Sequence, residues 1–242
     1  MYREPELYKL YFDLLQHKSS EVQKAALDCV MTYKHKFLTP YKDHLYNLVD
    51  DKNFKNELTT FHIDKETGTI QSDHRDDLVP FIMRIVFSKM STKTGLRTGG
   101  KASGQLRRNL VFRFLAGCQE TEMLTFTKMA LQYYARHLKD DPEVMVEELR
   151  KNVTLENFIP PKRLQSTINL INVILDQFGG LMGNDLLTFL IQVVLMMGGV
   201  VKIAFDELAD VHSGYWPILR NLRTSSIKIV ERIFSQFDHY PW

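Results

Sequence analysis

Apolar residues in this chain recur three and four positions apart, the spacing of helices. Leu7, Leu10, Tyr11, Leu14 and Leu15 form one such stripe, and Val22, Ala25, Ala26, Cys29, Val30 and Tyr33 form a second after a polar break. Two amphipathic helices are predicted between Glu4 and Tyr33, with His17 to Ser20 as the turn and Ser20 with Gln23 as a capping box. So short a link makes the pair antiparallel neighbours.

The pattern continues less cleanly. Shorter helices are predicted at Tyr41 to Val49 and Phe54 to Phe61, and Asp64 to Arg75 reads as a polar loop. A helix from Asp76 to Met90 uses Leu78, Ile82, Ile85, Val86 and the aliphatic stem of Lys89. Another from Gln105 to Ala116 ends at Gly117, read as a C-terminal cap. Helical stripes follow at Glu120 to Leu138, Pro142 to Lys151, Leu164 to Phe178, Asn184 to Met197, Val200 to Val211, and Pro217 to Phe237.

No strand pair is predicted, so the chain reads as all-α. About six helix pairs at a period of roughly 35 to 45 residues fit a HEAT/armadillo-like α-solenoid of antiparallel helix pairs. Ala25 and Ala26 face larger residues on the preceding helix, as in a HEAT-type pair. Gln23 stands where such repeats often carry a charge. The sequence opens on an amphipathic helix and ends on Phe234, Phe237, Tyr240 and Trp242, without polar capping repeats, and reads as a piece of a longer solenoid or as one that needs a partner at its ends.

Charge changes this picture in one place. Overall the chain balances 31 Lys and Arg against 29 Asp and Glu, a formal net charge of +2, so any affinity for polyanions must be local. The segment Lys89 to Arg108, KMSTKTGLRTGGKASGQLRR, carries Lys89, Lys93, Arg97, Lys101, Arg107 and Arg108 and no acid. Gly95, Gly99, Gly100 and Gly104 and five hydroxyl residues lie among the charges, so its middle reads as an exposed basic loop between two buried helices. Cations three to four residues apart suit a phosphate backbone, and glycines let main-chain N–H groups approach phosphates too. The loop has no aromatic residue for base stacking.

Enzyme-like patterns fail on their context. Gly95 to Lys101 fits G-x-x-x-x-G-K, but Ala102 replaces the magnesium-holding Ser or Thr, Ser103 is one position late, and a helical stripe precedes the motif where a strand is required. Val173 to Asp176 imitates the partner aspartate of such a site, yet Asp176 sits between helical core positions Leu175 and Phe178. The eight histidines show no HExxH spacing. Asp73, His74, Arg75, Asp76 and Asp77 form a cluster in which Asp76 or Asp77 reads best as a helix N-cap. No catalytic residue, metal site or cofactor is predicted.

Cys29 and Cys118 are too few for a disulfide framework, and Cys29 reads as a small core residue. MYREPELYKL lacks a secretory h-region, so an intracellular compartment is expected. Leu186 to Phe205 is long enough to span a bilayer but is interrupted by Gln192, Gly198, Gly199 and Lys202, and is expected to be a buried helix.

The block DDLVPFIMRIVFSKM, then STKTGLRTGGKASG, then LRRNLVFRFLAG, from Asp76 to Gly117, resembles the down-regulated-in-metastasis family, the large HEAT-repeat component of the small-subunit processome. The upstream repeats resemble the same family, most specifically from Lys18 onward. The resemblance implies a nuclear, nucleolar scaffold without catalysis that assists processome assembly and small-subunit pre-rRNA processing. Its partners would be pre-ribosomal or small nucleolar RNA and other processome proteins.

The expected organisation is one continuous solenoid segment: repeats at 1–75, the helix, basic loop and helix at 76–117, and repeats at 118–242. Lys93, Arg97, Lys101, Arg107 and Arg108 are the expected RNA contacts, the last two at the start of the return helix. No membrane or small-molecule substrate is expected. The rival readings are a protein-interaction scaffold in which the loop is a tether and, more remotely, a P-loop NTPase.

Overall fold

The computed structural model describes residues 3–91, 101–135, 137–152, 159–206 and 212–240, without the side chains of 91 and 101–105. Every regular element among them is helical. The chain divides into two compact units, Met1–Phe126 and Thr127–Trp242.

The first unit holds α1 (Glu4–Leu14), α2 (Ser20–Met31), α3 (Lys42–Val49), α4 (Phe54–Thr60), α5 (Arg75–Ser91) and α6 (Lys101–Leu115). Helix α7 (Glu120–Ala130) crosses the boundary. Helix α1 packs on α2, α2 on α3, and α3 on both α4 and α5, while α6 packs on α4 and α5. Leu27, Val30, Leu45, Leu48, Leu78, Ile82, Ile85, Val86, Val111 and Leu115 make the core.

Helix α1 leaves its own part of the predicted stripe unburied, Leu7 and Leu10 being 44% and 50% exposed, and only Leu15 at its C-terminal cap is fully buried. The predicted capping box is also corrected. Ser19 is the N-cap of α2, its side chain accepting the Val22 N–H. Gln23 instead turns inward, its Nε2 donating to the Leu15 carbonyl and to Ser88 Oγ, both at 2.6 Å. It bonds the end of α1 and α5 to α2 where a charge had been looked for.

Three further expectations change. Asp76 and Asp77 lie inside the first turn of α5, because that helix already begins at Arg75. Helix α6 starts at Lys101, four residues before Gln105. Gly117 is not a left-handed cap, since no described glycine has positive φ. Its role is close approach: a Cβ there would stand 2.9 Å from the Asp64 backbone nitrogen.

The second unit holds α8 (Gln132–Ala135), α9 (Pro142–Asn152), α10 (Pro161–Gln177), α11 (Asn184–Asp206) and α12 (Trp216–Gln236). Helix α11 packs on α9 and α12, and α10 packs on α11 and α12. The segment Glu120 to Leu138 divides into α7 and α8 around Leu131. Asn184 to Asp206, predicted as two pieces, is one helix running through Gly198 and Gly199. Two glycines weaken a helix by only about 1 kcal/mol each relative to alanine, and burial of thirteen α11 residues outweighs that. Among the described residues α11 is the one helix long and apolar enough to cross a membrane, and 61% of its apolar window is buried within the fold.

Candidate nucleic-acid interface

The basic segment starts in the core. Lys89 lies on the α5 stripe with Ile82, Ile85 and Val86, and its side chain is 2% exposed. Its ammonium donates to Ser20 Oγ at 2.6 Å, to the Val49 carbonyl at 2.5 Å and to Asp51 Oδ1 at 2.7 Å. Three donors meet three acceptors, so the buried charge is fully satisfied. Burial pushes the Lys89 pKa below its ordinary value even though Asp51 opposes the shift. Burial alone would raise Asp51, but hydrogen bonds from Lys89 and Ser20 and the charges of Lys89 and Arg107 outweigh it and hold the carboxyl below its usual range. Lys89 is therefore a tie between α2, α3 and α5 and is not available to a ligand.

Of the five expected contacts, Lys93 and Arg97 lie outside the described residues, as do residues 95–100 of the P-loop-like motif. Lys101 is the first residue of α6. Arg107 is half-buried with its guanidinium 5.7 Å from the Phe54 ring centroid. Among the described residues its buried Nη1 has no hydrogen-bond partner. Arg108 is exposed, and so is Arg113 one and a half turns further along α6. The structure thus separates the cations of the two flanking helices: Lys89 turns in, Arg107 covers a ring and Arg108 faces solvent.

The connection on which the loop stands is fixed by polar ties hidden in the linear pattern. Arg75, read as the end of a polar loop, is 5% exposed. Its Nε and Nη2 donate to the two oxygens of Glu122 at 2.6 and 2.8 Å, and Nη1 and Nη2 reach the Ile63 and Gly117 carbonyls. Glu122 also accepts the Gln119 N–H at 2.7 Å, which closes the start of α7. The guanidinium thereby binds the ends of α4, α6 and α7 to the start of α5. Its neighbours diverge: His74 Nδ1 lies 3.2 Å from the Tyr41 hydroxyl, so the Asp73–Asp77 cluster does not converge on one point.

The other enzyme-like signals resolve in the same way. Residues before the P-loop-like motif form helix α5 rather than the strand such a site requires. Asp176 is on α10 and pairs with Arg232 at 2.6 Å.

Fold and site together define an all-helical protein in which an acid-free, glycine-rich run of cations connects two packed helices, α5 and α6. The chain belongs to the family described as U3 small nucleolar RNA-associated protein 20, N-terminal, whose profile matches residues 1–242. This is the family to which the block from Asp76 to Gly117 points. The chain is similar to U3 small nucleolar RNA-associated protein 20 of Saccharomyces cerevisiae, 36% identical over 89 residues that cover 37% of this chain and 4% of the relative. The protein of the same description in Schizosaccharomyces pombe is 32% identical over 115 residues, 47% of this chain and 4% of the relative. The chain thus spans a small part of the length of these relatives.

Proposed function

We propose that this chain is a non-catalytic scaffold segment in ribosome biogenesis, acting in assembly of the small-subunit processome and in processing of small-subunit pre-rRNA. The observation that carries this reading is the family match over the whole of 1–242, to a family named for association with U3 small nucleolar RNA. The helix pairs serve as HEAT-like solenoid repeats that present surfaces to other processome proteins, in the nucleolus. The basic loop contacts phosphates of pre-ribosomal or small nucleolar RNA through Lys93, Arg97, Lys101, Arg107 and Arg108.

Two features support an electrostatic role for the loop. Its cations are uncompensated by any acid between Lys89 and Arg108. The helices on either side are anchored, α5 by Arg75 and Lys89 and α6 by packing on α4 and α5. A phosphate backbone would thus meet a cation-rich connection whose two flanking helices are held in place. Charge reversal tests it: Lys101→Glu lowers affinity for a U3-derived single-stranded RNA, whereas unchanged affinity assigns the chain to protein contacts alone.

A further inference from the structure

A second site lies on the first unit, beside the start of α5. Tyr8 on α1 and Tyr33, His35 and Phe37 after α2 line a cavity of ≈ 660 Å³ whose rim carries Glu4, Pro5 and Asp77. The rings pack on one another. Tyr8 meets Tyr33 edge-on at 5.0 Å and His35 edge-on at 5.3 Å, while His35 stacks on Phe37 at 5.0 Å. Rings alternate in sequence with Lys34 and Lys36, which are exposed. Lys34 has φ 52, one of two described non-glycine residues in the left-handed region, and across the turn it makes the Tyr33 and His35 rings stack at 5.9 Å.

Three observations give this cavity its chemistry. The aromatic wall continues through Phe37 and Phe81 to Phe12, where the Arg84 guanidinium lies 3.7 Å from the ring centroid. That end of the wall already holds a cation from within the chain, while among the described residues no Lys or Arg covers Tyr8, Tyr33, His35 or Phe37. The Asp77 carboxylate, at the rim, has no hydrogen-bond or ion-pair partner among the described residues. Burial and then the Asp77 charge raise the Tyr8 pKa, and burial and then Glu4 raise that of Tyr33. Finally, His35 is stacked between Tyr33 and Phe37, which fixes the aromatic wall.

We infer that this cavity is a binding site for an arginine side chain of a partner protein. A planar guanidinium stacks on aromatic faces better than an ammonium does and pairs with a carboxylate through two N–H groups. The cavity is larger than a bare cation needs and takes the side chain with its flanking backbone. This site uses opposite chemistry to the basic loop, so the two bind different partners without competing.

The test is a titration of the chain with three capped tripeptides, Gly-Arg-Gly, Gly-Lys-Gly and Gly-citrulline-Gly, followed by NMR of the Tyr8 and Tyr33 rings. Citrulline keeps the shape of arginine and lacks its charge. Saturable shifts with the arginine peptide are expected, weaker by about two- to fivefold with citrulline and in Asp77→Asn. Tyr33→Leu, which keeps apolar bulk, weakens binding similarly. Equal binding of the citrulline peptide, equal binding of the lysine peptide, or no change in Asp77→Asn overturns the assignment. A fold check on Asp77→Asn is straightforward because that residue is exposed.

Discussion

At the scale of single residues, the first unit is held by cations taken out of water. Arg75 and Glu122 form a bidentate pair with side chains only 7% and 12% exposed. Removing one partner of such a pair leaves a buried charge alone, so Arg75→Met destabilises by about 3 to 5 kcal/mol. The double variant Arg75→Met with Glu122→Met recovers much of that loss, and urea unfolding of both variants measures the difference. Equal stability of single and double variants contradicts the pairing. Asp51 and Asp64 give the acid response: Thr67 donates to Asp64 from its N–H at 2.6 Å, and both carboxyls have depressed folded-state pKa values. A depressed carboxyl contributes stability that is complete above its unfolded value of about 4 and is lost as pH falls through the folded value. Asp51→Asn should flatten the decline in stability below about pH 4. An unaltered slope in acid unfolding counts against the Lys89–Asp51 tie.

At the scale of elements, glycine positions separate close packing from open space. Gly117 brings the end of α6 against the loop at Ile63 and Asp64, with backbone on the receiving side. Gly117→Ala is expected to cost about 1 to 3 kcal/mol through overpacking. Gly180 has nothing within 4 Å of a built Cβ and no positive φ, so Gly180→Ala is expected to stabilise by about 0.4 to 1 kcal/mol. Thermal unfolding of the two variants shows opposite signs if the packing is right. Helix positions were legible because the apolar stripes at Leu78, Ile82, Ile85 and Leu164, Ile168, Ile171 are local. The ties between helices were not, because Lys89 meets Asp51 38 positions away, Arg75 meets Glu122 47 away and Gln23 meets Ser88 65 away. A 3.6-residue period cannot report such separations. Lys89 on an apolar stripe was nonetheless a usable signal: an ammonium at a core position demands acceptors.

At the scale of the whole molecule, the chain forms two compact helical units, and the first carries two sites of different character. The basic connection between α5 and α6 was visible in the sequence as a run of charge, and the structure removes Lys89 from it. The aromatic cavity was not visible, since Tyr33 read as an ordinary member of an amphipathic stripe, Tyr8 fell outside the stripe of its helix, and only the turn at Lys34 brings their rings beside His35. The measurement that tests the central claim most directly is RNA affinity of the chain and of the variant Lys93→Ala, Arg97→Ala, Lys101→Ala across a range of salt. If these three cations each neutralise a phosphate of single-stranded RNA, the variant binds more weakly and its log–log salt slope is shallower by about 2. Equal affinity with equal slope, or no RNA binding by either protein, contradicts the account and leaves the chain a scaffold for proteins alone.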